Sequence, residues 1–289
     1  MSSNKNTITD EQAKMVKEWA ANPVTFSKLF ENLGIPDVCG SHVGTFMLDE
    51  PHQVRAVNNI IRHDKVINLW CHKSHKWAIE AVIMLWSALF HHGRQILYAE
   101  YSPAMVRGII KISPEYHGSE HAPVTRMAFS LCKMYEALPG WFRELVPATY
   151  RATRLEFDNE SVIEFASPDA RTEYYGRNIE LLVVHGVASV PDDRFRDLMS
   201  VFLPQMFSPR KHNFKVLLSS EGGVRRTLFE SLCKVSTDIT GNPDAYQDVN
   251  GWVLDAVRAD DLPPDELTVL LGGKKGMPEQ PWRYEDEFK

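Results

Sequence analysis

The segment that most constrains the fold runs from residue 66 to residue 90. Residues 66–70 (VINLW) form a nearly continuous apolar run, which is typical of a strand buried on both faces of a parallel sheet. A polar, basic loop follows at 71–75. Residues 76–90 predict a helix that is apolar nearly all round and therefore packs against a sheet. Repeated along a chain, strands that alternate with helices in this way predict a doubly wound α/β fold.

The same alternation continues beyond this segment. The patterns predict further strands at 95–101, 154–157, 161–166, 180–184 and 214–218, and further helices from 102 and at 129–138. The turn Asp158-Asn159-Glu160 between two of these strands indicates a hairpin. We therefore expect an α/β fold whose sheet is mostly parallel.

The ends of the chain differ from this core. A capping box from Thr9 to Gln12 predicts a first helix, a second is predicted at 25–33, and a third begins at Pro51. From about residue 236 the chain becomes polar and acidic. We therefore expect an N-terminal helical segment at 1–44, a core at 45–235, and a small C-terminal subdomain with a tail at 236–289.

Composition excludes several classes of protein. The chain has 289 residues, of which 44% are hydrophobic, so it is not wholly disordered. Lys and Arg number 32 against 38 Asp and Glu, a net charge of −6, which excludes a strongly basic nucleic-acid coat. No segment approaches the roughly 20 apolar residues of a membrane-spanning helix. We expect a cytoplasmic protein with no membrane partner.

The loop after the first core strand occupies the position of a phosphate-binding loop. Such a loop uses glycines to bring backbone N–H groups to phosphate, a lysine for the β- and γ-phosphates, and a hydroxyl for Mg²⁺. Here Lys76 is present, there is no glycine, and Trp77 stands at the hydroxyl position. Two other interpretations stay open at this point, a basic surface loop and a metal site built from Cys71, His72 and His75.

The order of motifs resembles the ATPase domain of the large terminase subunit of tailed bacteriophages, the motor that pumps DNA into capsids. The resemblance covers about residues 45–235. Its parts are an adenine-reading glutamine motif, a deviant Walker A loop, an Asn-Gly-Ser hairpin, a Walker B strand and a coupling-motif strand. In this sequence they correspond to Pro51-His52-Gln53, residues 66–76, residues 155–163, residues 181–188 and residues 215–220.

The resemblance implies a P-loop NTPase fold of the terminase (ASCE-like) type and a set of site residues. The nucleotide-binding positions would be Gln53, His72, Lys73, Ser74, His75, Lys76 and Trp77, and the coupling motif would be Ser219 and Ser220. His75 replaces the family's glycine. His185 and Gly186 replace the Walker B aspartate and the catalytic glutamate. The framework is retained while the groups that hold Mg²⁺ and orient water are absent, which is the pattern of a pseudo-ATPase.

Two functions from different classes follow from this resemblance. One is a terminase-like protein of phage DNA packaging whose nucleotide hydrolysis is lost. The other is a non-enzymatic paralog that acts as a scaffold or regulator. Double-stranded DNA, a portal or another terminase subunit are the implied partners. ATP and Mg²⁺ would be ligands only if the degenerate site still binds them, and no nuclease domain is expected within 236–289.

Other candidate chemistry is weaker. Ser219-Ser220-Glu221 with a histidine suggests a hydrolase triad, but no G-x-S-x-G motif accompanies it. Basic residues cluster locally and could contact phosphates, although an ordinary solvated surface explains them equally well. These clusters are Arg143, Arg151 and Arg154; Arg210, Lys211 and His212; and Arg225 and Arg226.

Overall fold

The computed structural model describes residues 8–36, 42–70, 74–100, 123–151, 154–166, 179–199, 215–220, 228–240 and 251–257. The helices in these ranges are α1 (Asp10–Ala21), α2 (Pro23–Ser27), α3 (Pro51–Arg62), α4 (Lys76–Phe90), α5 (Pro123–Ala137), α6 (Gly140–Leu145), α7 (Asp192–Asp197) and α8 (Leu228–Val235). The strands are β1 (Gly34–Pro36), β2 (His42–Thr45), β3 (Lys65–Trp70), β4 (Gln95–Glu100), β5 (Ala148–Tyr150), β6 (Arg154–Phe157), β7 (Val162–Ala166), β8 (Leu181–His185), β9 (Lys215–Ser220), β10 (Thr237–Asp238) and β11 (Trp252–Val257).

All strands except β1 and β2 belong to one mixed nine-stranded sheet. The predicted α/β class, a doubly wound and mostly parallel sheet, is confirmed. The chain divides into two compact units. One consists of Met1–Glu50, Trp77–Tyr98 and Pro103–Ala166, and the other of Pro51–Lys76, Ala99–Ser102 and Ser167–Lys289.

The second unit contains five strands of the sheet that pair in parallel. They lie in the order β10-β11-β3-β9-β8, and every neighbouring pair in this series is parallel. The apolar run at 66–70 lies within β3, as predicted, and Ile67 and Trp70 are fully buried. A strand flanked on both sides and covered on both faces favours apolar residues on both faces, which explains why β3, apart from Asn68, does not alternate in hydrophobicity.

Strand β11 lies in a stretch where the sequence pattern predicted no strand. All six of its residues are buried, and it pairs with β3 along its whole length. The apolar triplet at 252–254 was the available signal, but Asp255 and the acidic residues that follow it obscured the pattern. The boundary at residue 236 stays a prediction, although two strands beyond it belong to the nine-stranded sheet.

The first unit contains the N-terminal helices and the apolar helix α4. The capping box of α1 is confirmed, because Thr9 Oγ1 accepts from Gln12 N (3.2 Å) and Gln12 Oε1 accepts from Thr9 N (2.8 Å). Helix α4 has the predicted bounds. Aromatic rings from α1, α2, the 3-10 turn after α2, α4 and α6 pack on one another at centroid distances near 6 Å or below. They belong to Trp19, Phe26, Phe30, Phe90, Trp141 and Phe142.

The predicted hairpin is confirmed as the antiparallel pair β6 and β7. Its turn residue Asn159 donates from Nδ2 to the carbonyls of Ala88 (2.8 Å) and Leu89 (3.3 Å) at the end of α4. These carbonyls lack partners within the helix, so the hairpin caps α4. Glu160 has a φ of 67°, in the left-handed region.

Some sequence predictions were inaccurate at element boundaries. The second helix is shorter than predicted and ends at Ser27, before a 3-10 turn over Lys28–Phe30. The helix predicted from residue 102 lies outside the described residues. Among the residues that are described, no helix is both long enough and apolar enough to cross a membrane.

Candidate nucleotide-binding site

Three parallel strands of the second unit bring the predicted site residues to one edge of the sheet. Strand β9 lies between β3 and β8, and Ser220 is in register with Leu69 while Ser219 is in register with His185. The carboxyl ends of β3, β9 and β8 therefore lie side by side. In open α/β sheets, ligands bind at this edge.

Helix α3 is attached to this edge through its first turn. Gln53 is buried, with 3% of its surface exposed. The neighbouring His52 donates from Nε2 to the backbone carbonyl of Ser74 in the candidate phosphate loop (3.3 Å), and its ring packs edge-on against Trp70 (5.3 Å between centroids). The Pro-His-Gln motif thus contains a residue that holds the loop, which the sequence analysis did not predict.

The last turn of α3 is also tied to the sheet. Lys215 at the start of β9 donates from Nζ to the carbonyls of Ile61 (2.9 Å) and His63 (3.1 Å). A lysine at a helix C-terminus satisfies carbonyls that have no partner within the helix. Contacts at its two ends therefore fix α3 relative to β3 and β9.

The loop backbone turns left-handed at His75. Its φ is 53°, a conformation that costs a residue with a Cβ about 1–2 kcal/mol and that glycine adopts readily. His75 therefore carries the strain of a left-handed backbone in the loop that the sequence predicts to bind phosphate. Glu160 carries the same strain in the turn between β6 and β7.

The structure describes the loop from Ser74 onward. Ser74 is buried and Lys76, the first residue of α4, is 7% exposed, whereas Trp77 is half-buried. Cys71, His72 and Lys73 lie outside the described residues, and with them the alternative metal site. Lys76 is thus placed at a helix N-terminus, where the helix dipole favours an anion.

Strand β8 ends without a carboxylate. His185 is its last residue, and Gly186 follows with φ 69° and ψ 27° before a 3-10 turn over Val187–Ser189. Neither an imidazole nor a glycine supplies the carboxylate oxygens that hold Mg²⁺ or orient water. A glutamate at position 186 would also have to adopt a left-handed backbone.

The two serines at the end of β9 have different environments. Ser220 Oγ accepts a hydrogen bond from the backbone N–H of Ala188 (3.0 Å), and both groups are buried. This bond joins the β9 end to the segment that follows β8. Ser219 is fully buried, and among the described residues its hydroxyl has no hydrogen-bond partner.

Comparison of the whole fold identifies its type. The structure is similar to the large terminase of bacteriophage HK97, with a TM-score of 0.54 and 15% sequence identity, over 85% of this chain and 44% of that one. It is also similar to the large terminase ATPase domain of Thermus phage P74-26, with a TM-score of 0.53 and 13% identity, over 80% of this chain and 90% of that one. This chain has the fold of a phage large terminase ATPase domain.

Sequence comparison alone gives no such result. No family model matches the sequence, and no curated protein matches it either. A variant of the P74-26 terminase domain gives a TM-score of 0.56 at 11% identity, over 80% of this chain and 89% of that domain. The chain spans less than half the length of the HK97 terminase. The sequence-based resemblance to terminases is therefore confirmed through the fold.

The residues that the resemblance to terminases assigns to Mg²⁺ do not fit this ion. Where that resemblance places a hydroxyl and a carboxylate, the chain has Trp77 and His185, and neither side chain has an oxygen. The described residues contain no group of three or more His, Cys, Asp or Glu side chains that could hold a metal ion. We therefore derive no catalytic step through a metal at this site.

A buried ion pair near the site was missed by the sequence analysis. Arg55 on α3 donates from Nε to Asp255 Oδ1 (3.0 Å) and from Nη2 to the carbonyl of Ala256 (3.2 Å). Burial raises the pKa of Asp255 to about 6, while the charge and hydrogen bond of Arg55 and the amide of Asn59 oppose the shift and Asp238 adds to it. The partners of the ion pair are separated by 200 positions in sequence, so no local pattern could predict it.

The structure gives less support to the basic clusters and to the suggested hydrolase triad. Arg151 and Arg154 of one basic cluster both lie against Glu156 (3.2 and 2.6 Å), which reduces the positive charge available there. The clusters at 210–212 and 225–226 lie outside the described residues, as does Glu221 of the suggested triad. The described part of the chain thus adds no support for the triad or for a strongly basic surface.

Proposed function

We propose that this chain is a terminase-like protein of phage DNA packaging in which nucleotide hydrolysis has been lost. The terminase fold supports the packaging role, which the sequence motifs also indicate. The observation that carries the loss of hydrolysis is the end of β8, where the chain has His185 and a left-handed Gly186. The resemblance to terminases places two acidic residues at these positions. Phosphoryl transfer depends on charge stabilisation and an aligned nucleophile, and His185 and Gly186 supply neither.

The contacts around the loop favour a role that needs the framework without its chemistry. His52 holds the loop through Ser74, and Ser220 joins the end of β9 to Ala188. A scaffold or regulator that binds a portal, another terminase subunit or DNA requires these structural contacts alone. This second candidate shares the fold with the first and differs in whether the chain works within a motor.

A phosphate-release assay with Mg²⁺ and duplex DNA distinguishes the two candidates from an active motor. Pull-down of this chain with purified portal, and separately with an active large terminase, then shows which of these proteins it binds. Stable binding to a terminase without stimulation of phosphate release by this chain supports the scaffold or regulator.

We expect the loop to hold inorganic phosphate or sulfate weakly and not to bind ATP·Mg²⁺ with micromolar affinity. Lys76 at the N-terminus of α4 attracts anions, but Trp77 offers no oxygen to the metal. Calorimetric titration with ATP·Mg²⁺ measures this, and a micromolar dissociation constant would show that the proposal for this loop is wrong.

The matched variant is His75→Gly with Trp77→Thr. It relieves the left-handed strain at residue 75 and restores a hydroxyl, so nucleotide should bind more tightly than to the unaltered chain. His75→Gly alone serves as the control for strain. We expect it to raise the free energy of unfolding by about 1 kcal/mol with little gain in nucleotide affinity.

DNA binding should be weak, independent of sequence and strongly dependent on salt. The net charge is −6, and two described arginines, Arg151 and Arg154, are paired with Glu156. Contacts to phosphates give non-specific affinity that salt screens. Affinities for two unrelated duplexes, measured at low and at physiological salt, provide the test. Selective binding of one duplex that persists at the higher salt contradicts the expectation.

A further inference from the structure

A group of buried polar side chains lies between helix α3 and the sheet. Asp255, Asn68 and Ser219 are in register on the neighbouring parallel strands β11, β3 and β9. Residues in register on parallel strands project from the same face of a sheet. The bond from Arg55 on α3 to Asp255 shows that this face is the one α3 covers. Asn59, one turn after Arg55, completes the group, which we name the α3 polar cluster.

The α3 polar cluster is unsatisfied. Asn59, Ser219 and Asp255 are 0% exposed and Asn68 is 1% exposed. Among the described residues, no hydrogen bond of good geometry reaches Asn59 Oδ1 and Nδ2, Asn68 Oδ1, Ser219 Oγ or Asp255 Oδ2. The Asn59 amide is near enough to Asp255 to lower its pKa, but it does not reach bonding geometry. Folded proteins leave few buried polar atoms unpaired, and four such side chains in one place point to a bound partner.

The chemistry of these atoms selects water over a cation. Three of them are carbonyl or carboxylate oxygens that accept, one is a hydroxyl, and one is an amide nitrogen that donates. Water can donate to the oxygens and accept from the nitrogen, whereas a cation can serve only the oxygens. In addition, the guanidinium of Arg55, 3.0 Å from Asp255 Oδ1, already neutralises the one formal charge in the cluster.

We propose that the α3 polar cluster is an internal hydration site that binds at least two water molecules. A buried water makes about three hydrogen bonds, so the five unpaired atoms need about two waters. Asp255 and Ser219 are two strands apart, roughly 10 Å between their backbones, so one water cannot join both ends of the row. The site tethers α3 to three strands through water and gives the Ser219 hydroxyl an internal partner.

The first test is a crystal structure of the full chain at a resolution that shows ordered water. We expect two or more waters within hydrogen-bonding distance of the cluster, each contacting at least two of its side chains. Direct pairing of the side chains with no water between them overturns the proposal. Crystals grown with rubidium or thallium test for a monovalent cation, and an anomalous peak within the cluster also overturns it.

The second test counts long-lived waters in solution by oxygen-17 magnetic relaxation dispersion. Asn68→Leu and Ser219→Ala each remove cluster atoms, and we expect each to lose one or more of the long-lived waters of the unaltered chain. Ser219→Ala keeps the test available if Asn68→Leu does not fold. Ser220→Ala is the control, because that neighbouring hydroxyl bonds directly to Ala188 N–H. An unchanged count in both cluster variants refutes the hydration site.

Discussion

Mixed with ATP, Mg²⁺ and duplex DNA, the purified chain is expected to release phosphate far more slowly than about 1 s⁻¹, the low end of ordinary enzyme turnover. The end of β8 supplies no carboxylate to hold a metal or to orient water, and Trp77 supplies no hydroxyl. Loss of one general base or one electrostatic contact typically slows a reaction by about 10²–10⁴-fold, and here several are absent together.

The control for this result is Lys76→Ala. If residual phosphate release comes from a contaminating ATPase, the variant and the unaltered chain will release phosphate at the same slow rate. Turnover near 1 s⁻¹ that disappears in Lys76→Ala would show instead that this site is an active one.

Restoring hydrolysis should require both carboxylates. We expect His75→Gly with Trp77→Thr to leave hydrolysis absent, and turnover to emerge only after His185→Asp and Gly186→Glu are added. The last change carries a cost, because Gly186 has a φ of 69° and a glutamate there is strained by about 1–2 kcal/mol. The unfolding midpoint of each variant must therefore be measured beside its rate.

Removal of Arg55 is expected to produce the largest loss of stability. Arg55→Met leaves Asp255, which is 0% exposed, as a buried carboxylate without its charge partner, a change that costs about 3–5 kcal/mol. Asp255→Asn should be milder, since Arg55 is 27% exposed and can turn toward water. Chemical unfolding at pH 7.5 measures both variants.

A matched control comes from the Lys133–Glu136 pair, whose side chains are both about one-third exposed. Lys133→Met should lower the free energy of unfolding by less than about 1 kcal/mol, because exposed ion pairs contribute little. A loss for Arg55→Met no greater than that for Lys133→Met would mean that the buried pair is not important for stability.

The same aspartate predicts a pH dependence. Its pKa is raised to about 6 from 3.8, so between these values the folded chain binds a proton that the unfolded chain has released. Stability contributed by this group is greatest below pH 4 and falls by about 3 kcal/mol as the pH rises to 6. We expect the stability difference between the unaltered chain and Asp255→Asn to change across this window and to be constant above it.

Local patterns predicted the elements whose residues are mostly apolar. The bounds of α4 and the strand β3 were predicted because most residues of each element are apolar. Strand β11 was not predicted because it contains a charged residue, Asp255. No local pattern shows that Arg55, 200 positions away, neutralises this charge. The left-handed φ of His75 could not be predicted either. The residue type alone does not show which backbone conformation a histidine adopts at this position.

The position of β11 has a practical consequence for expressing shorter versions of this protein. A version that ends near residue 236 looks reasonable from composition, but it removes the strand that pairs with β3 along all six residues. Strand β3 would then present unpaired N–H and C=O groups and an apolar surface at a sheet edge. Such an edge can recruit strands from other molecules, so the shortened chain should aggregate. A usable fragment must include all of β11, which ends at Val257.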